Sequence, residues 1–264
     1  MYFSRQLSKI KVLGDPCSPA AERRVMKSAM RIVLLVVLSL SLVSIPLGAQ
    51  QAPAQTPPPS EQSVLILFIG QVNEGSVPRL MALITTEINQ GVGNIIVGIS
   101  SDGGNSSMAF GAYNSLTALE RQHPKTKITT VNIGSVASAA VIIFCAGTER
   151  YSLPNATFLI HGNGMDVPPS HLEASTLKNS LDLVNAMNAQ TIEIISSTTK
   201  KNKAEIEAAV AGQIVLSAQQ AKEWNLVQEI KALPAPPDAP VLTVSVQPDQ
   251  TQSPIQVSSI SKVE

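Results

Sequence analysis

The sequence predicts an α/β fold with a mostly parallel sheet, and three observations carry that reading. Short, unbroken apolar runs recur between residues 63 and 160; stretches with apolar residues at three- and four-residue steps separate them; glycine-containing turns follow several runs. Ser63–Gly70 is the first run and suits a strand covered on both faces. Val77–Gln90 carries Leu80, Met81, Ile84 and Ile88, a helical stripe. Asn94–Ile99 is a second buried strand, ending at Ser100-Ser-Asp-Gly-Gly104, and Met108–Gln122 is helical again. Ile128–Ile133 predicts a third strand and Ala137–Gly147 an apolar helix that begins just after Gly134. Tyr151–Ser152 and Thr157–Ile160 read as short strands around Pro154.

Three helices follow. Ser170–Thr198 places Leu177, Leu181, Val184, Met187, Thr191 and Ile194 on one stripe of a long helix, with Lys178, Asp182 and Glu193 around the rest. Ala204–Val210 is short. Ser217–Asn225 opens on a serine in N-cap position and closes on an asparagine suited to a left-handed cap.

The ends differ from this core. Arg23, Arg24, Lys27 and Arg31 precede the apolar run Ile32–Ile45, and Pro46-Leu-Gly-Ala49 supplies a small residue where a signal peptidase would cut. Residues 1–49 therefore read as a secretory signal, with Met26 or Met30 as an alternative start. The run of 14 residues is short against the roughly 20 that span a bilayer, which makes a permanent anchor the alternative and an exported, periplasmic or secreted domain the expectation. Residues 50–62, rich in Gln, Pro and Ala, form a linker. The folded domain is expected over 63–231. Residues 232–264, interrupted by Pro234, Pro236, Pro237 and Pro240, read as a flexible tail in which Val241–Val246 alternates well enough to pair as an edge strand.

Composition narrows the function. Of 19 basic and 19 acidic residues, seven basic and two acidic lie in 1–49, leaving 12 against 17 in the remainder. A net-negative domain with 3% aromatic residues offers no nucleic-acid surface. Cys145 is the one cysteine beyond the signal and lies in the apolar run Val141–Ala146, so it reads as a small core residue. His123, His161 and His171 with one such cysteine make no metal set, and no cofactor is implied.

Chemistry concentrates in Ser138, within Gly134-Ser-Val-Ala-Ser-Ala-Ala140, and His161, which closes Phe158-Leu-Ile-His161. A hydroxyl and an imidazole, each ending an apolar run, supply the nucleophile and base of acyl transfer. Ser138 precedes an apolar helix whose first amides lack intrahelical partners, so the Ala139 amide is a candidate oxyanion donor. Gly103 and Gly104 let a second amide approach the same point.

These pieces resemble the proteolytic subunit of the Clp protease, within the ClpP–crotonase superfamily. The resemblance rests on Ile99-Ser-Ser-Asp-Gly-Gly104, Gly134–Ala140, Arg150-Tyr-Ser-Leu-Pro-Asn155, Phe158–His161, Leu216-Ser-Ala-Gln-Gln-Ala221 and Trp224-Asn-Leu-Val227, in family order and spacing over roughly residues 64–230. It implies a stack of crotonase-type β-β-α units, Ser138 as nucleophile, His161 as base, and a helix over 170–198 that serves as a handle between rings of a homo-oligomer. It also implies a peptide or unfolded-protein substrate. Three departures stand out. Counting back four residues from Ser217 reaches Gln213 where the family has the Asp of its triad. Asp102 replaces a Pro before the glycine pair, and Gly162-Asn163 replaces Gln-Pro after the histidine.

An amide at 213 could hold the imidazole tautomer through its carbonyl but cannot match a carboxylate's charge, so reduced turnover is expected. Asp166 and Asp182 are the remaining acids near His161 in sequence. Lys200, Lys201 and Lys203, which could suggest a Ser–Lys dyad of signal-peptide-peptidase type, read instead as the solvated end of the long helix. The chain contains no Walker-type Gly-x-x-x-x-Gly-Lys-Ser/Thr, so no ATPase motor is inferred within it. The alternatives are a catalytically silent, peptide-binding scaffold and a crotonase-type acyl-CoA enzyme that would not need the Ser–His pair.

Overall fold

A computed structural model describes residues 61–166 and 173–246. The signal, most of the linker, His171 and residues 247–264 lie outside the described residues. Among the described residues fourteen elements occur in order: β1 (Ser63–Gly70), α1 (Ser76–Asn89), β2 (Asn94–Ser101), α2 (Ser106–Gln122), β3 (Lys127–Ala137), α3 (Ala139–Phe144), β4 (Glu149–Ser152), β5 (Thr157–Ile160), α4 (Ala174–Thr199), α5 (Lys203–Gly212), β6 (Ile214–Ser217), α6 (Ala218–Glu223), β7 (Glu229–Ile230) and β8 (Val241–Val246).

The main sheet runs β6-β5-β3-β2-β1-β8, with β4 paired to β3 and β7 to β4. Every pairing is parallel except β5 with β6. The predicted α/β class with a largely parallel sheet is what the chain adopts.

Strand β3 is longer than its sequence suggested. Its first half pairs β4 through Thr129–Asn132 and its second half pairs β5 through Ser135–Ala137. Between them the register with β2 shifts, from Ile99↔Asn132 to Ser101↔Val136, so β3 takes two more residues than β2 over that stretch. The extra residues bend β3 and let one strand serve two neighbours. Buried Asn132 secures the bend: its side chain donates to the Thr157 carbonyl at 2.8 Å and accepts from the Gly134 amide at 3.1 Å. The helix expected from 137 begins at Ala139, because β3 continues to Ala137.

Aliphatic side chains form the main core between the sheet and helices α1, α2 and α3, together with the C-terminal part of α4. Phe144 meets Phe158 edge-on at 5.0 Å between centroids. A smaller cluster of Leu65, Ile96 and Val131 packs with Leu233, Ala235 and Val241. Here Val241–Val246, the part of the expected tail that alternates well enough to pair as an edge strand, does pair. The prolines break regular structure, yet the Leu65 amide bonds the Pro240 carbonyl at 2.9 Å, and β8 adds a parallel strand along β1. Apolar surface left open by β1–β3 draws the segment in.

The long helix α4 splits along its length. Thr191, Ile194, Ile195 and Thr199 are buried, whereas Leu177 and Leu181 are 51% and 60% exposed. One apolar stripe thus packs on the domain at one end and runs past it at the other. Among the described residues no helix is long and apolar enough to cross a membrane. Helix α6 carries a full capping box between Ser217 and Gln220, and Asn225 takes φ 58°, as a left-handed stop requires.

Arg150 is a buried cation satisfied by carbonyls. Its Nε donates to Leu226 and one terminal nitrogen to Gly147, both at 3.0 Å, tying β4 to the segment after α6. Arg150→Leu leaves both carbonyls without that donor, at about 1–3 kcal/mol each. Urea denaturation should show a lower midpoint for this variant, and an unchanged midpoint would refute the assignment.

Candidate active site

Parallel pairing sends β2, β3 and β5 toward one edge of the sheet, so the residues that follow them converge there. Ala137 pairs with Leu159, and the Ser138 amide donates to the Leu159 carbonyl at 2.9 Å. His161 follows Ile160, the last residue of β5. Ser138 and His161 therefore leave the same end of adjacent strands, and both are half-buried.

Ser138 stands at the strand-to-helix junction with φ 54° and ψ −126°. A non-glycine residue there is strained by roughly 1–3 kcal/mol, and such strain gathers at functional sites. The bond to Leu159 fixes one side of the residue. On the other, the Ser138 carbonyl accepts from the Val141 amide at 3.0 Å. Flanking alanines leave room for the sharp turn, which presents the serine as a nucleophile elbow does. The small-residue run in the sequence hinted at close packing; the backbone strain was not visible in it.

Gly103 faces this turn. A Cβ added there would lie 2.6 Å from Ser138 Cβ, 2.7 Å from the Ala137 oxygen and 3.0 Å from the Ala139 nitrogen. With φ of 93°, the position requires glycine on both counts. Ala139 opens α3, so its amide has no carbonyl one turn earlier to bond. The two glycine amides differ. Gly103 N–H donates to Ser101 Oγ at 3.1 Å, whereas the Gly104 amide makes no hydrogen bond among the described residues. Gly104 is itself pressed against Val72, whose oxygen would sit 2.4 Å from an added Cβ. Ala139 and Gly104 are therefore the uncommitted donors of the three residues singled out from sequence.

The orienting group behind the histidine is not the expected one. His161 Nδ1 lies 2.7 Å from the Gly162 carbonyl oxygen. A carbonyl only accepts, so the bond needs the proton on Nδ1, which leaves Nε2 as the basic nitrogen of the neutral ring. Gln213 does come opposite His161, one step beyond the antiparallel pair Ile160↔Ile214. Yet it is exposed, caps α5 in the left-handed region at φ 54°, and makes no bond to the imidazole.

Neither acid considered as a substitute reaches the ring. Asp166 is exposed, and Asp182 pairs with Lys178. Lys201 pairs with Glu205 and stacks 5.0 Å over Trp224, and Lys203 pairs with Glu193. These lysines form a solvated helix end, as read from sequence. No hydrogen bond joins Ser138 Oγ to His161 among the described residues. Burial pushes the Cys145 thiol up to about 11, so it stays protonated and inert near neutrality.

Beside His161 a cavity of about 390 Å³ opens between α4 and α5, lined by Gly162, Asn188, Ile192, Glu207, Val210 and Ala211 among others.

Residues 61–233 match the family model for the Clp protease. The ATP-dependent Clp protease proteolytic subunit 2 of Leifsonia xyli subsp. xyli is 29% identical over 178 residues, covering 64% of this chain and 77% of that protein. Proteolytic subunit 1 of Thermobifida fusca is 27% identical over 169 residues, covering 62% and 73%. Among solved structures, a point mutant of ClpP1 from Listeria monocytogenes superposes with a TM-score of 0.54 at 21% identity, over 64% of this chain and 91% of that one, and so shares its fold.

The glycine contact is testable by itself. Gly103→Ala, whose methyl collides with the Ser138 turn and the Ala139 amide, should slow phosphonylation of Ser138 by a fluorophosphonate about 100-fold or more, the scale of a displaced oxyanion donor, while far-ultraviolet circular dichroism stays native. An unchanged labelling rate would show that Gly103 does not shape the serine turn.

Proposed function

We propose, from the premise that this chain belongs to the Clp protease family, that it is a serine peptidase in which Ser138 is the nucleophile and His161 the base. The strained Ser138 turn carries the reading, because it packs Ser138 against Gly103 at the end of β3, next to the strand that His161 follows.

In this mechanism His161 Nε2 takes the hydroxyl proton as Ser138 Oγ bonds to the scissile carbonyl carbon. The carbonyl electrons move onto oxygen, where the Ala139 amide and a glycine amide, Gly104 being the uncommitted one, stabilise the charge. Collapse breaks the C–N bond and the imidazolium returns its proton to the leaving amine. Water then repeats the sequence on the acyl-enzyme, releasing the acid and Ser138. The Gly162 carbonyl holds the tautomer that the first step needs. It contributes a dipole where a triad has a full charge, so turnover falls below that of a carboxylate-supported triad; in a trypsin-type triad, exchanging that carboxylate for an amide costs about 10⁴.

Substrates are peptides or unfolded segments. We take the enzyme to work outside the cytoplasm, a reading supported by the basic, apolar and small-residue order of residues 23–49, and to assemble as a homo-oligomer, supported by the exposed leucines of α4.

A catalytically silent, peptide-binding subunit is the second reading, favoured by the lack, among the described residues, of any carboxylate bonded to His161. One comparison separates them. A fluorophosphonate should modify the folded protein at Ser138, losing fluoride as Oγ bonds to phosphorus. Hydrolysis of a fluorogenic peptide should fall to background in Ser138→Ala. Equal, background-level signals from both proteins would overturn the peptidase reading in favour of the silent one.

A further inference from the structure

The Gly162 carbonyl cannot orient a base unless something holds it, since glycine on its own leaves that peptide free to rotate. The hold is visible in the next bond of the same peptide unit. Asn163 N–H donates to Asn188 Oδ1 at 2.7 Å, and the Asn163 side-chain amide donates to Asn188 Oδ1 at 3.0 Å and to Thr191 Oγ1 at 3.1 Å. Gly162 C=O and Asn163 N–H belong to one planar group whose two ends point in opposite directions. Asn188, on helix α4, grips the N–H end; the C=O end is thereby aimed at His161 Nδ1, 2.7 Å away. Thr191 is buried in the packed half of α4, so the grip rests on a rigid element.

We propose that Asn188, through the clamped Gly162–Asn163 peptide, is the positioning residue for His161 and stands in for the acidic member of the triad.

Polarity supports the assignment. Satisfying the N–H end with an amide oxygen polarises the peptide and strengthens its carbonyl as an acceptor. A dipole oriented this way favours a proton on Nδ1 and stabilises the imidazolium that forms when Nε2 takes the serine proton. The arrangement accounts for two sequence departures together. A proline at 163 has no N–H to give Asn188 and no side-chain amide to reach Thr191, so the Gly162-Asn163 pair and the loss of the acid at 213 become one change. Gln213 is then free to cap α5.

The inference rests on the peptidase reading for its kinetic consequence but not for its structural one. The test uses the full chain, with histidine ring nitrogens labelled for NMR and His161→Gln to assign the signal. Wild type should show the Nδ1–H tautomer at His161. Asn188→Leu, which removes the acceptor at similar volume, should shift His161 toward the Nε2–H tautomer and lower the fluorophosphonate labelling rate about 10- to 100-fold, the range for partners that orient a functional imidazole. Its thermal midpoint and oligomeric state serve as controls on the fold. Asn188→Asp, which still accepts from Asn163 N–H, should restore both readouts. If Asn188→Leu does not fold, Asn188→Ser, too short to reach the amide, takes its place. An unaltered His161 tautomer in a folded variant without the acceptor overturns the proposal whatever the activity. A shifted tautomer in a protein that never reacts with fluorophosphonate would uphold the clamp and sink only the peptidase reading.

Discussion

A single backbone bond, from the Ser138 amide to the Leu159 carbonyl at 2.9 Å, ends the pairing of β3 with β5 and fixes where Ser138 turns out of the sheet. Everything chemical in the domain is arranged around that turn. The bond exists because β3 bends at Asn132–Ser135 and passes from β4 to β5, so the double pairing of one strand is what creates the site. Parallel pairing then places the glycine loop after β2 and the histidine after β5 at the same edge, the general location of sites in parallel sheets. Strain at Ser138 is tolerated because bonded neighbours on both sides determine its conformation.

The second constraint is electrostatic. A histidine that acts as a base needs its far nitrogen held, and the usual solution is a buried carboxylate. Among the described residues none is bonded there. The protein uses a chain of dipoles instead: the Asn188 amide, the Gly162–Asn163 peptide and the imidazole, anchored on α4. Such a chain fixes geometry well and stabilises charge weakly. Under the proposed peptidase reading, such a chain predicts a slower turnover than a full triad and a defined tautomer.

Helix α4 joins these features to the rest of the molecule. Its buried end supplies Thr191 and carries Asn188, and its other end displays Leu177 and Leu181 to solvent. Asn188 and Thr191, bonded to Asn163, therefore share one helix with the exposed Leu177 and Leu181. Residues beyond the matched family region, up to β8, close the opposite edge of the sheet and cover the Leu65–Ile96–Val131 cluster.

The sequence by itself determined the α/β class, because apolar runs and helical stripes at fixed spacing have few ways to bury their surfaces. It also marked Ser138, Ala139, His161 and the glycine pair, since their types and positions at element ends are local properties. It located the helices to within a few residues, including the Ser217 cap and the left-handed Asn225, because capping chemistry is short-ranged. Only the tertiary structure decided what stands behind His161. Counting pointed to Gln213, but that residue caps α5 without bonding the ring, and a contact spanning 25 residues brought Asn188 to the peptide beside the ring. Likewise the bend in β3 and the choice of β1 as the partner of the alternating segment Val241–Val246 depend on pairings between distant segments, whose energies no local pattern records.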